Sequence, residues 1–217
     1  MNNESSPQYD KSKYLTVSEK TQVNLKVEDS KFIGTAAPCK NREEAELFIK
    51  NIKKEFSDAT HNVSAFRIFL ADEIREFCDD DGEPAGSAGS PILQRIKGQS
   101  LLNTAVVVTR YFGGTKLGIG GLVKAYGGTT AEVLQKAVKQ ELKLYILFYC
   151  RGEYDILGDV LSQLEKFSAK IMSNDYKQGK FEVKAEIFIE DWKGLKKNLK
   201  TVSGDKIELE IIKNYYR

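Results

Sequence analysis

Residues 105–111, Ala-Val-Val-Val-Thr-Arg-Tyr, begin as an unbroken apolar run with no period-two alternation. No other feature limits the possible folds more. A strand that is apolar at successive positions must be covered on both faces, so it belongs at the centre of a sheet with a layer above and a layer below. The run then opens into Phe112-Gly-Gly-Thr-Lys-Leu-Gly-Ile-Gly-Gly-Leu-Val-Lys-Ala-Tyr-Gly-Gly128.

That continuation is also free of acids. Between Glu83 and Glu132 there is no Asp or Glu, while Arg95, Lys97, Arg110, Lys116 and Lys124 fall inside. Thirty-one acids in 217 residues would by proportion place about seven in such a window. A glycine-rich, acid-free turn between a strand and a helix suits anion capture: glycine admits close backbone approach and positive φ, and the helix offers unpaired N–H groups and the positive end of its dipole. The candidate binding residues are Arg110, Tyr111, Phe112, Gly113, Gly114, Lys116, Gly118, Gly120, Gly121 and Lys124. The structural alternative, in which the glycine pairs only make a tight connection and close packing, stays open.

The rest of the chain supplies the layers. Val23, Leu25 and Val27 alternate, and Lys31 to Pro38 reads as a second strand of a hairpin turning at Glu28-Asp29-Ser30. Asn41 with Glu44 is a capping-box signature for a helix whose apolar positions are Ala45, Phe48, Ile49, Ile52 and Phe56. Residues 61–70 and 74–78 read as antiparallel strands around a turn at 71–73. Ser90 is the expected N-cap of a short helix with Pro91 at its first position and Gly98 at its end. Residues 121–139 read as a packing helix. Beyond them the order is β-α-β-β-α-β, the ferredoxin-like split motif, with Asp191 expected to cap its second helix. The reading is a two-domain α+β chain: a polar tail at 1–14, a mixed domain at 15–139 and a small sandwich at 140–217.

Several function classes are excluded by composition. Net charge is +2, with 19 bases against 18 acids through Lys139 and 14 against 13 from Gln140, so bulk charge cannot carry nucleic-acid binding and local patches must. Cys39, Cys78 and Cys150 are far apart and suggest neither a disulfide framework nor a zinc site; Cys78 reads as a buried strand residue. The longest apolar runs are too short to span a bilayer, and the polar residues 1–13 lack a signal-peptide core, which places the protein in the cytoplasm.

A second constellation precedes the acid-free window: His61, Asp79, Asp80, Asp81, Gly82, Glu83, Pro84, Ser87 and Ser90. Three consecutive carboxylates at a strand end cannot all face one ion, and the spacing is not that of a calcium loop, so no metal or cofactor is assigned. One or two of these acids are expected to pair with Arg110 or Arg67, making the site two loops of opposed charge around a cleft. His61 is the lone histidine, and no serine or cysteine stands in a triad order with it. Lys193, Lys196, Lys197 and Lys200 form a basic stripe at helical spacing opposite Trp192, Leu195 and Leu199. An aromatic sheet face of the kind that stacks single-stranded bases is not evident, although Tyr215 and Tyr216 are placed to contribute.

Lys31-Phe-Ile-Gly, Asp58-Ala-Thr-His-Asn62, the block from Asp79 to Pro91 and the block from Val108 to Tyr126 resemble the signature blocks of the IMPACT family. The resemblance spans roughly residues 21–140, and the second half is similar to the small C-terminal domain of bacterial members. It implies a first domain with the fold of ribosomal protein S5 domain 2, shared with elongation factor G, and a ferredoxin-like second domain resembling another domain of that factor. Eukaryotic relatives regulate translation through an additional N-terminal domain, a role that does not carry over intact. The expected function is a binding protein linked to regulation of translation, with RNA, the ribosome or a translation-related protein as partner and no bond chemistry. The alternatives are an enzyme acting on a nucleotide or phosphorylated small molecule through the glycine-rich loop, and a protein-docking module.

Overall fold

The computed structural model describes residues 11–70 and 73–217; residues 1–10 of the expected tail and the turn residues Ala71 and Asp72 lie outside the described residues. The elements in order are β1 (Lys13–Val17), β2 (Thr21–Val27), β3 (Ser30–Pro38), α1 (Arg42–Glu55), β4 (His61–Leu70), β5 (Glu73–Asp79), α2 (Gly89–Gly98), β6 (Thr104–Tyr111), α3 (Gly118–Lys136), β7 (Lys139–Glu153), α4 (Leu157–Lys166), β8 (Lys170–Lys177), β9 (Lys180–Phe188), α5 (Ile189–Ser203) and β10 (Glu208–Tyr216). The fold is α+β and divides into two compact units. One is Leu15–Glu141; the other is Leu142–Arg217 together with residues 11–14.

In the first unit an antiparallel sheet runs β2-β3-β6-β4-β5, which puts the apolar run at its centre. Alternate residues of β6 enter different cores. Val106 and Val108 pack with Ile92 and Ile96 of α2 and Leu122, Tyr126, Val133 and Leu134 of α3. Ala105 and Val107 pack on the opposite face with Ala45, Ile49 and Ile52 of α1. Burying each Val, Ile or Leu is worth about 1.5–3 kcal/mol, so only a strand apolar at consecutive positions stabilises both layers. At the start of α1 the Asn41 side chain accepts the Glu44 amide at 2.8 Å, the first bond of a capping box, while Glu44 accepts the amide of Lys40, one residue before the cap, at 2.8 Å.

Two helices are bounded differently from the sequence reading. Helix α2 begins at Gly89 and has no side-chain cap of its own kind; the Asp80 carboxylate, not Ser90, accepts the Ala88 and Gly89 amides. Helix α3 starts at Gly118 rather than Gly121 and stops at Lys136 rather than Lys139. Its end is set by Ser18, whose amide and hydroxyl both donate to the Val138 carbonyl, drawing the chain out to extended backbone and leaving Val138 exposed. Cys78 is exposed on the edge strand β5 and not buried; a strand with one neighbour has an uncovered face that local apolarity does not reveal.

In the second unit the antiparallel order β10-β7-β9-β8 is that of the ferredoxin-like motif, with α4 and α5 covering one face through Val160, Leu164, Leu195 and Leu199. β1 also joins this sheet beside β7, where the Leu144 amide donates to the Ser12 carbonyl. Helix α5 begins at Ile189 with Phe188 at its N-cap position, so Asp191 lies in the first turn and stabilises the helix through its dipole instead of capping it. No helix among the described residues is long and apolar enough to cross a membrane.

Candidate functional site

Pairing across β3, β6 and β4 sets Phe32, Arg110 and His61 side by side, because Arg110 is the register partner of both. All three therefore point to the α2/α3 face at one end of the sheet. The loop after β5 brings Glu83 to the same place. Glu83 Oε1 accepts from Arg110 Nη1 at 2.7 Å and from the Tyr126 hydroxyl at 2.7 Å, with the Arg110 and Glu83 side chains 6% and 4% exposed. Burial, and then the Glu83 hydrogen bond, push the Tyr126 hydroxyl far above its ordinary range, so it stays a donor. The Arg110 guanidinium is stacked between the Phe32 and Phe112 rings, and its Nε is buried with no hydrogen-bond partner among the described residues.

Above this network lies a cleft of about 370 Å³. Its walls are Phe112, Leu117, Ile119, Leu122 and Pro84; Thr60, His61, Glu83, Arg110, Lys116 and Gly118 supply its polar groups. His61 Nδ1 lies 2.8 Å from the Asp81 carbonyl oxygen. A carbonyl only accepts, so Nδ1 carries the hydrogen, and in the neutral form of the ring the acceptor is Nε2, which lies 3.9 Å from Glu83 Oε1. Lys116 makes no ion pair with a described residue. The opposed-charge cleft between the two loops thus exists, with Glu83 as the acid that meets Arg110; Arg67 pairs with Glu76 at 2.9 Å instead.

The other acids are committed to the loop itself. Asp80 accepts the Gly86, Ala88 and Gly89 amides at 2.7, 3.0 and 2.8 Å. Partial burial pushes its carboxyl up, and these three N–H bonds outweigh that and hold it below the ordinary carboxylate range. Asp81, again raised by burial, is brought low by Lys53 at 2.6 Å and the Asn62 amide at 2.6 Å. Asp79 accepts the Asp81 amide at 3.0 Å and lies 3.4 Å from Lys53. Gly82 sits at φ 88°, and Ser87 is buried with its hydroxyl donating to Pro84 O. Ser90 faces a different groove, beside Arg95 and Gly127.

The glycine-rich segment is less open than its composition implies. The Phe112 amide donates to Thr60 Oγ1 at 3.0 Å and the Gly113 amide to Ser30 Oγ at 3.3 Å, so neither is free to grip an anion. A Cβ on Gly113 would lie 1.9 Å from Asp29 O, which makes that glycine a packing requirement of the β2–β3 turn. The window without acids is also supplied with them by the fold: Tyr111 donates to Asp58 and Thr115 to Asp29, both at 2.8 Å. Gly114, Gly118 and Gly120 face open space, the first two at positive φ; Gly121 packs on Leu117. Lys124 is exposed on α3, and Lys193, Lys196, Lys197 and Lys200 form an exposed row on α5.

Sequence reasoning missed Leu117, Ile119 and Leu122 as cleft walls, Thr60 as one of its polar groups, and Tyr126 and Ser30 as network members. Tyr126 was signalled by its place in the same block as Arg110; Ser30 was not, because it arrives from another strand. It also missed the aromatic row on the open face of the second sheet, where Phe188, Tyr145 and Tyr215 stand opposite one another on β9, β7 and β10. A larger depression, about 460 Å³, at the end of β7 and β9 is lined by charges that pair across its own rim, among them Arg151 with Glu182 and Lys180 with Glu153.

With this geometry in hand, the comparisons with known proteins are specific. The model of the Impact N-terminal domain matches residues 28–134, which include the whole cleft. The chain is 38% identical over 178 residues to the IMPACT family member YvyE of Bacillus subtilis (strain 168), covering 82% of this chain and 80% of that protein. It is 34% identical over 151 residues to the IMPACT family member YigZ of Escherichia coli (strain K12), covering 69% and 74%. A solved crystal structure of a hypothetical protein superposes with a TM-score of 0.62 at 28% identity, covering 93% of this chain and 98% of that one.

Proposed function

The chain belongs to the IMPACT family, and from that premise we propose that it is an RNA-binding protein of translation-linked regulation, whose cleft receives one unpaired base of a structured or ribosomal RNA. The observation that carries this reading is the composition of the cleft: apolar walls around a polar floor, with unpaired cations outside. Phe112 and Leu117 offer surfaces for the faces of a base, while His61 Nε2 and the Glu83–Arg110 floor offer acceptor and donor chemistry for its edge. Lys116 beside the cleft and Lys124 farther along α3 then neutralise the flanking phosphates, which is where affinity arises. The α5 lysine row adds further phosphate-binding charge. The test is a titration of labelled RNA containing an unpaired loop against the wild type and a Lys116→Ala/Lys124→Ala variant. Binding should weaken severalfold in the variant and fall with salt in the wild type; equal binding by the two proteins sinks the reading.

A second reading is favoured by one observation, the tautomer of His61. An imidazole fixed through Nδ1–H with a bare Nε2 inside a cleft is the arrangement of a general base. On that reading the cleft acts on a nucleotide or phosphorylated small molecule. Phosphate release that His61→Gln abolishes, with nucleotide binding kept, would select it over simple binding.

A further inference from the structure

The second unit carries a surface that the cleft does not explain. In β7 the residues pointing away from α4 and α5 are Tyr145, Leu147, Tyr149 and Arg151, since Ile146, Phe148 and Cys150 fill the core. Register places Phe188 of β9 and Tyr215 of β10 directly opposite Tyr145, so three rings cross the open face in one row, with centroids 6.0 and 6.5 Å apart. All three are half-buried.

Each ring in the row has a cation over it. Arg217 lies 4.1 Å from the Tyr145 centroid, Lys213 5.2 Å from Tyr215 and Lys143 5.8 Å from Phe188; one step along, Lys184 lies 5.7 Å from Tyr149. Among these cations lies the carboxylate of Glu186, which is buried and bonded to the Tyr215 hydroxyl and to Arg217. At the opposite end the charges are balanced: Arg151 is enclosed by Glu182, Glu208 and Glu210, and Lys180 pairs with Glu153. The face is therefore polarised, with rings and positive charge together at one end. An apolar peptide or a second sheet would gain nothing from buried ammonium groups interleaved with rings, and an acidic peptide would use the cations without the rings. A chain that alternates flat π-systems with phosphates uses both.

We infer that the Phe188–Tyr145–Tyr215 row of the C-terminal sheet is a stacking platform for single-stranded RNA, with a footprint of about three nucleotides whose bases lie on the solvent-facing parts of the rings and on the Arg217 guanidinium above Tyr145, and whose phosphates meet Lys143 and Lys213. The site is independent of the cleft: either can hold without the other.

The test uses the full chain and a labelled octamer of uridine, with an RNA duplex of the same length as comparison. The octamer should bind at low salt, release steeply as salt rises, and bind much better than the duplex. Tyr145→Leu keeps apolar bulk and removes the π-face, and should weaken octamer binding about tenfold; Tyr145→Phe should restore it, and thermal melts should show both variants folded. In a Lys116→Ala/Lys124→Ala background, which removes the cleft's contribution, Tyr145→Leu should still weaken octamer binding about tenfold. The proposal is overturned if the octamer does not bind at low salt, if Tyr145→Leu binds like the wild type, or if the duplex competes equally. Loss of octamer binding in the lysine variant alone would assign the RNA to the cleft and remove it from the sheet.

Discussion

Glu83 and Arg110 meet at 2.7 Å with almost no solvent access to either side chain, 27 residues apart in sequence and on different elements. The pair ties the loop after β5 to the end of the central strand, and the Tyr126 hydroxyl ties both to α3. Removing one partner leaves a charge buried without its counterion, a loss of about 3–5 kcal/mol. Arg110→Met and Glu83→Leu should each lower the unfolding free energy by that amount. A double change to apolar residues of similar volume, Glu83→Leu with Arg110→Met, should recover much of it. Chemical denaturation of the four proteins measures the coupling; additive losses would show that the pair acts as two separate residues.

Acid should loosen the same loop by a different group. Asp80 is held below the ordinary carboxylate range, so the unfolded chain binds its proton first as pH falls, and stability drops with it. Its contribution is complete above the unfolded value of about 4 and is lost as pH falls through the lower folded value. Asp80→Asn should be less stable at neutral pH and should show a shallower decline below pH of about 4. Thermal melts across that range check both the sign and the window.

The two kinds of glycine in the rich segment should separate cleanly. Gly113→Ala puts a methyl group onto Asp29 backbone and should prevent the β2–β3 turn from seating, with a large fall in soluble yield or melting temperature. Gly120→Ala meets nothing within 4 Å on an exposed helix turn and should stabilise α3 by up to about 1 kcal/mol. Where a ligand approaches the α3 backbone closely, the same Gly120→Ala change should weaken RNA binding despite the gain in stability. A melt and a binding curve on one preparation read both effects.

Cys78 should be the first thiol modified in the folded protein, since Cys39 and Cys150 are buried. It should still react slowly: partial burial, followed by the charges of Asp80 and Asp79, raises its pKa and depletes the thiolate. Burial pushes the Cys39 and Cys150 thiols up to about 12. Timed alkylation with mass analysis should find Cys78 alone labelled until denaturant is added; early labelling of Cys39 or Cys150 would contradict the burial.

What could be read from sequence was whatever is encoded within one element. The double burial of β6, the capping box of α1 and the split β-α-β-β-α-β order all follow from periodicity over a few residues. The opposed-charge cleft followed from two adjacent composition blocks. What escaped depends on register between distant strands. Asp80 caps a helix whose first amides lie eight and nine residues on, across an irregular loop, so the nearer Ser90 looked like the cap. Phe188, Tyr145 and Tyr215 align only once three strands are paired, and β10 carries an irregularity between Ile211 and Lys213 that no local pattern discloses. Glycine counting erred in the other direction, because it cannot tell a residue needed for Asp29 to fit from one left open for a ligand.

The pairing of β1 with β7 has a consequence for how the protein is made. Residues 11–14 belong to the sheet of the second unit, yet the ribosome delivers them before the whole of the first. At translation rates of about 5–20 residues per second, they wait about 6–40 seconds for β7 and β10 to appear. Synthesis order and assembly order are thus inverted for this strand: the earliest described segment is a late joiner, and the second sheet closes only when the two ends of the described chain come together.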